Sequence, residues 1–199
     1  LKKWKNNSQF VVFHSIFILN LLPNFFCSIT LILMAYIPSW SSSEPFPTPP
    51  ESAIRLFYIQ RSSNANVVIY DANLTANKSL NAKNPVHTYW IRYAEKGQYQ
   101  ELSSVQKTLA YGLYTNKMNG EIEPSYEGYF LAYRKRKFVV KLNPQGVPIA
   151  LFPINGKLQV LKRIFVSVDE SKFMPSVNYI ELFGKDPVSG KDVYERFKP

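Results

Sequence analysis

Leu56-Phe57-Tyr58-Ile59-Gln60-Arg61-Ser62-Ser63-Asn64-Ala65-Asn66-Val67-Val68-Ile69-Tyr70 decides the fold. Two runs of aromatic and β-branched residues, 56–60 and 67–70, flank a polar segment, 62–66. Side chains of this type fit a pleated, half-buried surface, and small polar residues between them turn the chain. The stretch predicts a β-hairpin with its loop at 62–66.

Working outward, the same alternation of apolar runs and turn signals continues to the C-terminus. Residues 87–93 (His-Thr-Tyr-Trp-Ile-Arg-Tyr) read as a strand that Glu95-Lys96-Gly97 turns. Runs at 129–133 and 138–142 bracket the basic segment Arg134-Lys135-Arg136-Lys137. Asn143-Pro144-Gln145-Gly146 has the residues of a type I turn. Asn155-Gly156 is the strongest hairpin signal, because both residues tolerate positive φ. It joins a run ending at Ile154 to residues 158–168, and runs at 177–183 and 192–197 follow. Pro148 and Pro153 cannot donate to a ladder, which marks 147–154 as an edge or bulged strand.

One helix is expected. Leu102, Val105, Leu109 and Leu113 fall on one face at helical spacing, and Ser103 with Gln106 forms a capping box. An amphipathic helix of that kind lies across a sheet or plugs the end of a barrel. The expected fold is therefore all-β and mainly antiparallel, a small barrel or sandwich of about eight strands with one packed helix.

Upstream, Lys2, Lys3 and Lys5 precede an apolar run at 10–37, and Pro38-Ser39-Trp40-Ser41 follows it. That order is an export signal or a membrane anchor, with Ser39 and Ser41 suited to cleavage before Ser42. A buried core helix is the third reading of the same run. Residues 42–53 carry Ser-Ser-Glu-Pro-Phe-Pro-Thr-Pro-Pro and read as an extended spacer. The division is then 1–41 signal or anchor, 42–53 linker and 54–199 one β-rich domain, placed in the cell envelope. Residues 10–37 contact the membrane if they are not cleaved.

Composition narrows the chemistry. The one cysteine is Cys27, so residues 42–199 carry neither a disulfide nor a thiolate metal site. His87 is their single histidine, and their aspartates never form a calcium loop. No metal or cofactor is expected. Residues 44–133 are charge-neutral with eight residues of each sign, whereas residues after Tyr133 carry 13 basic and 6 acidic residues. Such a face keeps a domain soluble or meets anionic lipid or an acidic envelope polymer. Another envelope protein is a further candidate partner. No nucleic-acid motif accompanies the basic excess, and export argues against nucleic acid.

There is no nucleophile elbow, phosphate loop or dinucleotide fingerprint. A triad of Ser62 or Ser63 with His87 and Asp71 can be written, but any serine-rich β domain permits one, so no catalytic residue is assigned. The candidate site is instead Arg61, Trp90 and Arg92. Trp90 and Arg92 share one face of their strand, and Arg61 ends the first strand. An arginine beside an aromatic ring clamps a carboxylate or phosphate while the ring supplies a stacking wall. The structural alternative is that Arg92 packs over Trp90 and pairs with Asp71 or Glu101.

Residues 57–71, then Pro85-Val86, Tyr89-Trp90-Ile91-Arg92-Tyr93 and Leu109-Ala110-Tyr111-Gly112, resemble successive blocks of an uncharacterised exported bacterial family, domain of unknown function 4833. The resemblance covers about residues 54–199. It implies an exported domain and brings no activity with it. Two classes follow: a non-catalytic binding domain for a lipid-like or anionic ligand or a protein partner, and an envelope hydrolase. A closed apolar cavity with few acids at its mouth favours the first, and convergent Asp, Glu and His in an open cleft favour the second.

Overall fold

The structure, a computed structural model, describes residues 46–171 and 176–199. The signal or anchor at 1–41 lies outside the described residues. Among them no helix is long and apolar enough to cross a membrane.

Among the described residues eleven strands form one curled, mixed sheet, where about eight mainly antiparallel strands are expected. In chain order they are β1 (Arg55–Arg61), β2 (Asn64–Ala72), β3 (Val86–Arg92), β4 (Gln98–Glu101), β5 (Leu113–Lys117) and β6 (Tyr126–Phe130). The series continues with β7 (Tyr133–Leu142), β8 (Pro148–Ile154), β9 (Lys157–Asp169), β10 (Ser176–Lys185) and β11 (Asp192–Phe197). The hairpin that opened the reading is β1–β2, but its turn is only Ser62-Ser63: Arg61 pairs with Asn64, so Asn64–Asn66 already belong to the strand.

The mixed character comes from β9, which is 13 residues long. Its first residues pair antiparallel with β8, and Arg163–Val166 pair parallel with β1 on the same edge. The opposite edge takes β10, which in turn pairs with β11. Lys162 is skipped in the β9–β10 register, a bulge that bends the strand where its neighbour changes from β8 to β1. Two wings, β1–β2–β3–β4 and β8–β7–β6–β5, diverge there, and their inner faces meet. Phe57 stacks on Tyr70 at 4.5 Å, and Phe130 stands edge-on to both at 5.8 and 5.9 Å. The Tyr70 hydroxyl donates to the Tyr111 carbonyl at 2.8 Å, which satisfies the one polar atom of a fully buried ring.

A second, smaller cluster lies on the outer face of the β1–β4 wing: Val67, Ile69 and Ile91, flanked by Tyr58, Tyr89 and Tyr93. This explains the unbroken apolar run in β2, which is buried on both faces. Residues 46–50, expected as part of a spacer, lie against the outer face. Phe46 packs on Phe165 at 5.3 Å, Gln60 donates to the Pro47 carbonyl, and the Tyr93 hydroxyl donates to the Thr48 carbonyl.

Three expectations are corrected. The basic segment 134–137 lies inside β7 rather than between strands. β8 is interior, not an edge: Pro148 lies where only β7 pairs and Pro153 where only β9 pairs, so each proline faces one open side. The helix α1 (Ser104–Leu109) keeps the predicted capping box, with both reciprocal bonds formed, but it buries none of its residues. Gly112 follows it in a spot where a Cβ would sit 1.6 Å from the Lys107 carbonyl oxygen, and Leu113 starts β5. The helix is therefore too short to lay an apolar face on the sheet.

Arg136 ties the β11 end to the β7–β9 region. Its guanidinium makes a two-pronged bond to Glu195 at 2.6 and 3.1 Å, stacks 4.1 Å from the Phe197 ring and donates to the Pro153 carbonyl. Glu195 also accepts from the Asn155 backbone N–H. The hydrogen bond from Arg136, reinforced by that N–H and opposed by partial burial, holds the Glu195 carboxyl below its usual range. A depressed carboxylate stabilises the fold above its unfolded value of about 4.3, and the contribution is lost as pH falls through the folded value. Arg136→Ala is expected to cost about 1.5–3 kcal/mol at neutral pH, with the difference from wild type shrinking in acid. Urea unfolding at neutral and acid pH checks it, and a pH-independent difference would refute the pairing.

Candidate functional site

Arg61, Trp90 and Arg92 line one pocket of about 340 Å³, together with Asn66, Gln100, Glu101, Ser103 and Gln106. Three pieces of the fold bring them there. Arg61 is the last residue of β1, Trp90 and Arg92 alternate along β3, and the pairing of β2 between them sets their register. β4 and the start of α1 close the far side.

The two arginines differ. Arg92 is half-exposed, pairs with Glu95 three residues on and donates to Gln100 at 2.7 Å. Its acid is thus neither Asp71 nor Glu101. Asp71 is held by Arg55 at 2.5 Å and by the Tyr89 hydroxyl at 2.8 Å, on the outer face. Glu101 pairs with His87 at 2.5 Å and with Lys107 at 3.4 Å, and the His87 bond holds its carboxyl below the usual range.

Arg61 has no acidic partner among the described residues. Its guanidinium sits over two rings, 5.4 Å from Trp90 and 5.5 Å from Tyr111, which meet edge to face at 5.0 Å. Burial raises the Tyr111 phenol above its ordinary value, and the Arg61 charge opposes that rise. Two buried donors have no acceptor among the described residues, Arg61 Nε and Trp90 Nε1. Buried donors of this kind are seldom left unmatched, because the lost hydration is not replaced.

Arg61 also lines a second space, an apolar cavity of about 500 Å³ between the wings. Ile59, Phe130, Phe152, Ile164 and Leu182 form its deep wall, and Leu109 and Val177 stand at exposed positions on its lining. Among the described lining residues Arg61 is the one charged side chain. Neither this cavity nor the place of Tyr111 beside Arg61 is announced by the sequence. Leu109 was visible as an apolar helix residue, but only the fold shows it opposite β10 rather than packed on the sheet.

Ser62, His87 and Asp71 do not hydrogen-bond to one another. The Ser62 hydroxyl accepts from the Val168 N–H, His87 is on Glu101 and Asp71 is on Arg55 and Tyr89. Among the described residues no three of His, Cys, Asp or Glu come together as metal ligands would. The arrangement offers a lone cation, two unmatched donors and an apolar space beside them.

No curated protein and no solved structure matches the chain. A family model does match, over residues 57–196, which include β2 to β10 and all three site residues. The chain belongs to the family described as Domain of unknown function (DUF4833).

Proposed function

We propose that this protein is a non-catalytic binding domain of the cell envelope, exported or anchored through its N-terminal apolar segment, whose ligand is a lipid-like anion. The observation that carries the reading is Arg61, a cation with no acidic partner among the described residues, shared by a polar pocket and an apolar cavity whose described lining holds no Asp or Glu. A cavity of that size falls within the range of small-molecule sites, which are mostly apolar with a few placed polar groups. The ligand's tail occupies the cavity and its charged head meets Arg61. A carboxylate or phosphate head gains a charge-assisted hydrogen bond there, and a cationic head is repelled.

The test is thermal unfolding of the full chain with single-chain amphiphiles of one tail length. Anionic ones raise the melting temperature, because a ligand that binds only the folded state stabilises it. Lauryl trimethylammonium does not. Arg61→Gln removes the anion effect and leaves the ligand-free melting temperature close to that of wild type. Equal shifts with both head charges, or no shift with either, would refute the reading.

A further inference from the structure

We infer that the head group is a carboxylate carrying a single negative charge, held jointly by Arg61 and the Trp90 indole N–H, so that the ligand is a free fatty acid rather than a phosphate-bearing lipid. This rests on the preceding reading and narrows it.

The charges and donors around this one pocket can be counted. Arg92 is neutralised by Glu95 and Glu101 by Lys107, while the His87 ring is also hydrogen-bonded to Glu101. Arg61 alone remains uncompensated among the described lining residues. A phosphate monoester carries close to two charges at neutral pH, since its second pKa is about 6. Its second charge would find no free cation among the described lining residues. Moving a charge into such a site without a partner is costly.

The donors point the same way. Arg61 Nε and Trp90 Nε1 are both buried, both lack an acceptor and both belong to residues of this pocket. Trp90 is only 6 % exposed, so its N–H has no ready alternative in bulk water. The indole nitrogen only donates, and so does a guanidinium. A carboxylate supplies two oxygens and no hydrogen, one oxygen for each group. Trp90 thereby acts twice, with its ring holding the Arg61 guanidinium in place and its N–H fixing the head. A phosphodiester also carries one charge, but it brings a second substituent that must fit into a pocket already bounded by Gln100, Ser103 and Gln106.

The experiment titrates the full chain at about pH 8, where a phosphate monoester is fully charged, with laurate, lauryl phosphate and single-chain phosphatidylglycerol. Laurate is expected to bind at least about tenfold tighter than either phosphate amphiphile. Trp90→Phe keeps an aromatic face for Arg61 and removes the donor. It should weaken laurate by about tenfold or more, the size expected for one hydrogen bond to a charged group, and narrow the preference over lauryl phosphate. The wild-type ranking decides the matter even if that variant folds poorly. Lauryl phosphate or the phosphodiester binding as tightly as laurate overturns the carboxylate assignment alone. Failure of all three to bind overturns it together with the reading beneath it. Unchanged laurate affinity in a folded Trp90→Phe removes the indole from the clamp.

Discussion

Arg55→Ala is expected to destabilise the protein by about 3–5 kcal/mol, whereas Arg92→Ala costs no more than about 1 kcal/mol. Both arginines belong to the same wing and both pair with an acid, so the contrast isolates burial. Asp71 is 5 % exposed, and its two oxygens are held by Arg55 and the Tyr89 hydroxyl. Removing Arg55 leaves a carboxylate away from water with one neutral donor. The Arg92–Glu95 pair lies between half-exposed side chains three residues apart, where solvent screens most of the attraction. A double change, Arg55→Met with Asp71→Leu, should recover most of the loss, since a buried pair replaced by apolar groups of similar size is often neutral.

Tyr89 supplies an independent readout of the same cluster. Burial first, and its hydrogen bond to Asp71 second, push the Tyr89 phenol up to about 12. A raised phenol favours the neutral ring in the folded state. Its contribution is whole below the unfolded value of about 10 and disappears as pH rises through the folded value. Asp71→Asn should bring the absorbance titration of Tyr89 down. Urea midpoints for Arg55→Ala and Arg92→Ala that coincide would refute the assignment of burial to one pair and not the other.

How much of this was legible depends on the range of the interactions. Local signals read well: the β1–β2 hairpin, the positive φ of Asn155 and Gly156 at the β8–β9 turn, and the Ser103–Gln106 capping box are all written within a few residues. β4 (Gln-Tyr-Gln-Glu) carries no apolar alternation and exists because it pairs with β3, so nothing in its own residues announces it. The parallel pairing of Tyr58–Arg61 with Arg163–Val166 joins segments far apart in the chain, and no local pattern encodes it. The same divide runs through the site. Alternation along β3 placed Trp90 and Arg92 on one face, and a strand-end position singled out Arg61. That Arg61 turns inward over Trp90 and Tyr111, while Arg92 turns to Glu95, follows from how the wings close. The apolar cavity was the least legible part, because Ile59, Phe130, Phe152, Ile164 and Leu182 come from five strands and each alone reads as ordinary core.

Phe130→Ala tests that closure, with an expected loss of about 3–5 kcal/mol. Phe130 is the ring on which the wings meet. It contacts Phe57 and Tyr70 on one side, and Phe138 and Phe152 on the other at 5.7 and 6.3 Å. Truncation removes the transfer free energy of a buried ring, forfeits four aromatic contacts and enlarges the cavity that Phe130 already lines. Tyr70→Phe is the gentler comparison. It deletes one hydrogen bond to the Tyr111 carbonyl and should cost about 1 kcal/mol, with a further penalty for the carbonyl left unmatched. Denaturant unfolding of both variants measures the losses. If Phe130→Ala costs no more than Tyr70→Phe, the wings are not held together through this ring. An enlarged cavity also makes a second forecast. Where a lipid-like anion binds, a ligand with a longer tail should restore more of the lost stability in Phe130→Ala than laurate does, because the tail fills the space the ring vacated. Equal recovery with both tails would mean that the tail does not reach Phe130, and the cavity would then lose its place in the binding argument.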